Sequence, residues 1–354
     1  MTGKSSSPYV VTASAASYDL LKDKTPLLGH LDMELTERCN NDCIHCCINL
    51  SEHDQAQERE LSTADVKRIL GEAAALGALS VRFTGGEPLL RSDFSGIYLF
   101  ARNLGLSVLL FTNARLITPK VAEMLSRIPP REPIEVSVYG MTQKSYEAVT
   151  RVKGSFDEFR RGIGLLEEKK IPFVVKSALL PQNRDEVLQF EAWASSLPAM
   201  TSPPSYALFY DLRCRRDSPQ KNELIRRLRV TPEQAIAFLS SDREAYCRGM
   251  EMFCSRFMRA PGDTLFDCGA GCGCCVDAYG KLQPCLQLRH PQTTYDLKAG
   301  SLKDALIRFF PELRTMKATS PDYLSRCARC FLKGLCEQCP AKSWMEHGTL
   351  DTPV

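Results

Sequence analysis

Apolar and polar positions along this chain fall into a repeating order of short apolar runs and helical stripes. The run Leu31–Thr36 reads as a strand. Ser62 and Asp65 form a capping pair ahead of the stripe Val66, Ile69, Leu70, Ala73 and Leu76, and Gly77 ends that helix. The strand Leu79–Phe83 follows, then the turn Thr84-Gly85-Gly86-Glu87-Pro88 and a helix about Phe94–Leu104. Strand Ser107–Thr112, helix Pro119–Ser126 and strand Ile134–Tyr139 continue the order. Helix Phe156–Lys169 leads to Pro172–Leu180, whose Phe173-Val174-Val175 centre favours a strand. Helix Asp185–Ser196 and a sixth strand, Tyr206–Tyr210, complete it.

Six βα units in succession predict a parallel sheet with helices outside. The stretch is short of the roughly 250 residues of a full eight-unit barrel, so the expected fold is α/β, an open partial (β/α)6 barrel of TIM type. In such folds the site lies at the C-terminal ends of the strands. The loop from Cys39, the Gly85-Gly86-Glu87 turn, Asn113 and Ser137 all fall at or near those ends.

The pattern changes after Asp211. Leu212–Arg229 is rich in arginine, and Arg213, Arg215, Arg216, Arg226, Arg227 and Arg229 read as a solvated surface. A helix is expected over Pro232–Leu239 and another over Leu302–Leu313, with loop-rich chain from Cys247 onward. The expected organisation is a lead-in over 1–28, the barrel over 29–240 and a cysteine-rich α+β extension over 241–354.

Composition narrows the class. The chain has 354 residues, 44% hydrophobic, enough for a large core. A net charge of +3 gives no electrostatic case for nucleic acid or an anionic membrane. The N-terminal stretch lacks a secretory pattern, and no run of about 20 apolar residues spans a membrane, so a cytoplasmic protein is expected. Sixteen cysteines in such a chain point to metal or cluster ligands rather than disulfides.

Three of them, Cys39, Cys43 and Cys46, stand at C-x3-C-x2-C spacing directly after the first strand. Thiolates aimed at one point suit iron or zinc. A structural zinc site or a [4Fe–4S] cluster takes four protein ligands, so three cysteines on a cluster leave one iron open. Gly85 and Gly86 permit close backbone approach and positive φ, and the Glu87 carboxylate is able to pair with an ammonium group. Read alone, that turn is an ordinary strand-to-helix connection. The five histidines are scattered with no evident partner, and no nucleophilic triad stands out.

C-x3-C-x2-C after the first strand with Gly-Gly-Glu after the second resembles the radical S-adenosylmethionine (SAM) enzymes over residues 31–210. The resemblance implies that Cys39, Cys43 and Cys46 ligate a [4Fe–4S] cluster whose open iron takes SAM. It implies that His45 fills an aromatic position beside the cluster, and that Gly85, Gly86, Glu87, Ser137 and Arg151 orient SAM. Cys47 is not expected to be a ligand.

The tail resembles the SPASM extension of that family. Cys268, with Gly280-x4-Cys285, matches its opening, and Asp277-Ala278-Tyr279-Gly280 is the turn of an expected hairpin. Cys327-x2-Cys330-x5-Cys336 matches its centre, but Cys336-x2-Cys339 is one residue short and no further cysteine follows. By resemblance Cys268, Cys272, Cys285 and Cys339 hold one auxiliary [4Fe–4S] cluster. Cys327, Cys330 and Cys336 hold a second that lacks its fourth ligand, unless the natural chain continues past Val354. Cys214, Cys247 and Cys254 read as small buried hydrophobes.

The resemblance implies a peptide or protein substrate. The expected reaction is reductive cleavage of SAM to a 5′-deoxyadenosyl radical that abstracts hydrogen from a ribosomally made peptide. The product is a thioether or carbon–carbon crosslink or a related oxidation. The alternatives are formylglycine formation of the anaerobic sulfatase-maturase kind and, from another class, a multi-cluster electron-transfer or zinc-binding scaffold. An electron donor such as a flavodoxin or ferredoxin is implied, with a separate leader-peptide recognition protein as a further candidate partner.

Overall fold

The computed structural model describes residues 27–48, 50–207, 218–257, 260–266, 268, 270–271, 273–333 and 338–353. Six parallel strands form its centre: β1 (His30–Thr36), β2 (Ser80–Gly85), β3 (Ser107–Thr112), β4 (Ile134–Val138), β5 (Phe173–Ala178) and β6 (Ser205–Ala207). They neighbour one another in chain order, so each strand pairs with the next across a helical crossover. This is the open (β/α)6 partial barrel that the six repeats predict.

The strands alternate, and the two faces differ. Leu31, Met33, Val81, Phe83, Val108, Leu110, Val136 and Val175 are buried under the helices. These helices are α1 (Thr63–Ala75), α2 (Phe94–Asn103), α3 (Pro119–Arg127), α4 (Gln143–Thr150), α5 (Ser155–Glu168) and α6 (Val187–Ser195). Ser62 caps α1 by accepting from Asp65 N and donating to its carboxylate at 2.6 Å, as the sequence predicts. Ile69 and Leu70 of α1 are fully buried, and truncating either to Ala costs about 2–5 kcal/mol.

The opposite, concave face is polar. Arg82 donates to Asp32 at 2.7 Å, and its guanidinium lies 4.8 Å from the Phe111 ring centre. Lys176 Nζ lies 3.0 Å from the same ring and 2.9 Å from Glu135. At the N-terminal ends of the strands His30 joins Ser80 (2.7 Å) and Asp32 (2.9 Å). A histidine expected to stand alone is therefore partnered, because β1 and β2 set His30 opposite Ser80 in register. This Ser–His–Asp row lies at the end of the sheet away from the cysteine loop.

The tail extends the same sheet. β7 (Cys274–Val276) pairs parallel with β1, β8 (Lys281–Gln283) runs antiparallel to β7, and β9 (Tyr295–Asp296) pairs with β8. The hairpin turn is the expected one: Gly280 has φ +90°, and the Asp277 carboxylate accepts from Tyr279 N and Lys281 N at 2.9 and 2.8 Å. Cys274 and Cys275 are fully buried within β7. A helix over 302–314, with one wide turn at Ala305–Phe309, closes on α1, where Glu72 accepts from Leu302 N at 2.9 Å.

Three helices depart from the sequence expectation. α4 was not anticipated, because its apolar positions are few. α7 (Pro219–Leu228) occupies the arginine-rich stretch, and α8 (Pro232–Leu239) is the expected helix. α9 (Arg243–Phe257) replaces the first part of the expected loop-rich chain. Cys247 sits exposed on α9, not buried, because the helix turns it away from Tyr246 and Met250. Arg229, at the end of α7, donates to Glu346 at 2.6 Å, so part of the arginine run is an internal tie rather than solvated surface. Arg213, Arg215, Arg216, Cys214 and most of the expected strand Tyr206–Tyr210 lie outside the described residues.

Candidate active site

Beyond β1 the backbone continues into Arg38–Cys39, which pairs with Leu50–Ser51 and closes the cysteine loop into a ring. The base of the ring is an ion pair. Arg38 is buried, donates to both Glu60 oxygens at 2.9 and 3.1 Å and to the Glu52 carbonyl at 2.8 Å.

The loop itself has no regular structure, so its backbone groups need partners elsewhere. Asp42 N donates to Thr150 O at 2.9 Å and Ile44 N to Val149 O at 3.0 Å. Both acceptors lie in the last turn of α4, whose final carbonyls have no helical partner of their own. Lys221 of α7 donates to the Cys43 carbonyl at 2.8 Å. Arg115 donates to the Asn40 carbonyl, to Asn41 Oδ1 at 2.6 Å and to Glu158 at 2.8 and 2.5 Å. Asn113 Nδ2 reaches Asn40 Oδ1 at 2.8 Å and Cys39 Sγ at 3.7 Å.

These ties gather the three cysteines. Burial raises the Cys43 thiol well above its ordinary value, and Cys39 and Cys46 raise it further. Burial likewise raises Cys39, with Glu87 next and Cys46 contributing. Among the described residues no three His, Cys, Asp or Glu side chains close on a single metal ion. As a donor set, three thiols in one short loop suit an iron–sulfur cluster. His45 lies 5.2 Å from the Tyr139 ring, and burial holds its imidazole at about 4, hence neutral. Its Nδ1 is buried without a hydrogen-bond partner.

The second strand end is built with equal economy. Gly85 has φ +123°, and a Cβ there would stand 2.1 Å from the Thr36 carbonyl oxygen. A Cβ on Gly86 would stand 2.1 Å from the Arg38 carbonyl oxygen. Both glycines therefore let this turn press against the chain that enters the cysteine loop, with Gly86 N donating to Thr36 O at 2.7 Å and Glu87 N to Arg38 O at 2.9 Å. The close approach expected of these glycines is made here to the protein's own backbone. Glu87 is fully buried. Its carboxylate accepts from Leu89 N (3.1 Å), Asn113 N (2.8 Å) and Thr112 Oγ1 (2.9 Å), while burial pushes it up to about 7.

Ser137 stands half-buried on β4, next to Lys176 in register, on the concave face. Arg151 ends α4 in the left-handed region, φ +56°, and its guanidinium clasps the Asp42 carbonyl at 2.9 Å and the Asp42 carboxylate. Its observed partner is thus the cysteine loop. Sequence reasoning missed Arg115, Thr112 and Lys221. Arg115 follows Asn113 at a strand end and was open to notice; Lys221 lies on an unanticipated helix.

In the tail, partial burial raises the Cys268 thiol, with Cys339 and Cys285 adding to the shift. Gly271 packs where a Cβ would meet the Phe310 ring at 2.4 Å, and Arg314 donates to Ala270 O at 2.9 Å, fixing this turn. Cys330 N donates to Cys327 O at 3.2 Å, which folds that pair into one turn. Cys272 and Cys336 lie outside the described residues. Cys47 faces the cleft between the cysteine loop and the tail.

Residues 33–194 match the model of the radical SAM superfamily. The chain is 26% identical over 334 residues to an AdoMet-dependent heme synthase of Methanosarcina barkeri, spanning 89% of this chain and 92% of that protein. It is 31% identical over 266 residues to the mycofactocin maturase MftC of Mycolicibacterium smegmatis, spanning 72% of this chain and 63% of that protein. The fold is that of Streptococcus suis SuiB, solved bound to S-adenosylmethionine, with a TM-score of 0.61 at 18% identity over 94% of this chain and 77% of that one. The cysteine loop at the first strand and the glycine turn at the second thus lie inside the segment, residues 33–194, that matches the radical SAM superfamily.

Proposed function

We propose that this protein is a peptide maturase that cleaves SAM reductively and modifies a ribosomally made peptide by a thioether or carbon–carbon crosslink or a related oxidation. The observation that carries the first half is the cysteine loop tied through Asn113 to buried Glu87 at the ends of adjacent strands. The similarity to a maturase at 31% identity supports the second half.

In this reading Cys39, Cys43 and Cys46 hold a [4Fe–4S] cluster. Bound there with SAM, such a cluster would supply one-electron reductive chemistry at the sulfonium. Arg115, Lys221, Arg151 and Asn113 hold the loop that presents the thiols. His45 stays neutral beside it. Glu87 fixes the two strand ends, accepting from Asn113 N and Thr112 Oγ1. Ser137 and the concave face supply the wall that orients ligands and excludes water. Cys268, Cys272, Cys285 and Cys339 hold an auxiliary cluster, and Cys327, Cys330 and Cys336 hold part of a second. We assign the lead-in to 1–28, the barrel to 29–240 and the extension to 241–354. A flavodoxin or ferredoxin in the cytoplasm is the proposed electron donor; among the described residues no helix is long and apolar enough to cross a membrane.

A second reading, synthesis of heme from a porphyrin precursor, is favoured by the heme synthase that this chain matches over 92% of its length. One experiment separates them. The protein is reconstituted anaerobically with iron and sulfide, reduced with dithionite and given SAM. 5′-Deoxyadenosine is then measured with a cysteine-rich peptide encoded beside the gene, and separately with Fe-coproporphyrin III. A peptide that loses hydrogen supports maturation, and a changed porphyrin supports the second reading. No 5′-deoxyadenosine under any condition sinks both.

A further inference from the structure

Between the cysteine loop and the tail hairpin lies a cleft of about 430 Å³, within the roughly 300–1,000 Å³ of small-molecule sites. Glu37 and Cys47 line one side; Asp277, Lys281, Gln283 and Arg289 line the other. Gln283 is 1% exposed, and neither its Nε2 nor its Oε1 has a hydrogen-bond partner. A buried amide left unpaired is destabilising, so an apolar residue would serve β8 better if packing were the only demand.

The charged side chains of the cleft are already engaged. Arg289 bonds both Glu34 and Glu37, and Tyr279 OH donates to Glu37 at 2.9 Å. Lys281 pairs with Asp296 at 2.7 Å, and Asp277 holds the hairpin turn. Two acids and two bases leave the lining neutral. The valences left over are those of one carboxamide, a donor and an acceptor side by side. The complementary group is another amide, whose C=O accepts from Nε2 and whose N–H donates to Oε1. A carboxylate satisfies only the donor and sets its charge against Oε1.

We propose that this cleft is a binding site for a neutral amide, the backbone of a peptide substrate, and that Gln283 is the residue that recognises it. The proposal rests on the peptide reading above and names the contact that holds such a substrate. The cleft opens beside Cys47, which follows Cys46, and beside β8, which ends just before Cys285; an amide held by Gln283 therefore lies between the segments that carry the two cysteine groups.

The test uses the reconstituted full-length protein and three small probes: N-acetylglycine N-methylamide, its methyl ester counterpart and succinate. Binding is read by saturation-transfer NMR. The wild-type protein is expected to bind the diamide more tightly than the ester and to bind succinate least. Gln283→Leu is expected to lose the diamide by at least tenfold while melting no lower than wild type, because an unpaired buried amide has been removed. Gln283→Asn, which keeps the amide on a shorter stem, is expected to recover part of the binding. Equal diamide binding in wild type and Gln283→Leu overturns the site, as does equal binding of succinate. A Gln283→Leu protein that melts well below wild type also overturns it, by showing that the amide was held inside the fold. 5′-Deoxyadenosine formation by the wild-type protein is measured in the same preparation. Its absence removes the radical-enzyme reading whatever the probes do; its presence with no diamide binding removes the amide site alone.

Discussion

The Glu87 carboxylate accepts the backbone N–H of Asn113 at 2.8 Å, so the end of β2 holds the end of β3. Asn113 in turn reaches Asn40 beside Cys39. One carboxylate therefore sets, through Asn113, the position of a residue in the cysteine loop at the end of the neighbouring strand. Glu87→Gln replaces an oxygen that accepts from N–H groups with an NH2 that cannot. The expected cost is about 1–3 kcal/mol, seen as a lower melting temperature, with 5′-deoxyadenosine formation down at least tenfold. A variant that melts and turns over like the wild type would contradict this role.

Gly86→Ala puts a methyl group within 2.1 Å of the Arg38 carbonyl oxygen, and backbone must move to admit it. The strand end that enters the cysteine loop is the backbone in question. The protein is expected to fold less stably by more than about 3 kcal/mol, at the upper end of single-substitution effects. Iron bound after reconstitution should fall in step, measured by colorimetric assay against the wild type.

Arg115 makes a fork that Lys cannot reproduce, bonding loop backbone, Asn41 and Glu158 from one planar group. Arg115→Lys keeps the charge and loses the geometry. We expect a modest change in melting temperature but a clear loss of iron at the three-cysteine site. Electron paramagnetic resonance of the reduced protein reads that site separately from the tail. An unchanged spectrum would mean the fork does not hold the loop.

Lys176 carries the pH prediction. Burial disfavours its ammonium and, against the pull of Glu135, lowers its pKa from the ordinary 10.5 to about 8. Between those values the unfolded chain binds more protons than the folded one, so stability rises as pH climbs through the window from about 8 to 10.5. The difference in melting temperature between wild type and Lys176→Met should follow that rise and level off on either side. A difference independent of pH would show an ordinary surface lysine.

Mutating the tail gives a separate readout. Cys268→Ala and Cys339→Ala should each remove about four irons per chain, one cluster's worth, and leave the signal of the three-cysteine loop intact. Loss of no iron from either variant would remove these residues from the ligand set.

Six strands and most of their helices were legible because each strand has one face under helices, and that burial leaves an apolar run that survives in the sequence. α4 and α9 were harder. α4 buries only Tyr146, Val149 and two small polar residues, and α9 is largely exposed, so neither shows a strong stripe. The cysteines were legible by spacing alone. Their supports were not: Arg115 and Lys221 act on backbone carbonyls, and any residue type offers a carbonyl, so no pattern marks the pairing. Lys221 meets Cys43 across 178 positions of chain. The hairpin at Asp277–Gly280 could be foreseen from its turn, whereas its docking against β1 depends on contacts far apart in sequence.

That docking bears on how the protein is handled. β1 has β2 on one side and β7 on the other, with Leu31 facing Cys274 and Met33 facing Val276. Cutting the chain after Leu239 would strip one whole flank from the strand that leads into the cysteine loop. A long apolar edge with unpaired N–H and C=O groups recruits other chains. The isolated barrel half should therefore aggregate, and the hairpin is the shield that keeps β1 from pairing with other chains.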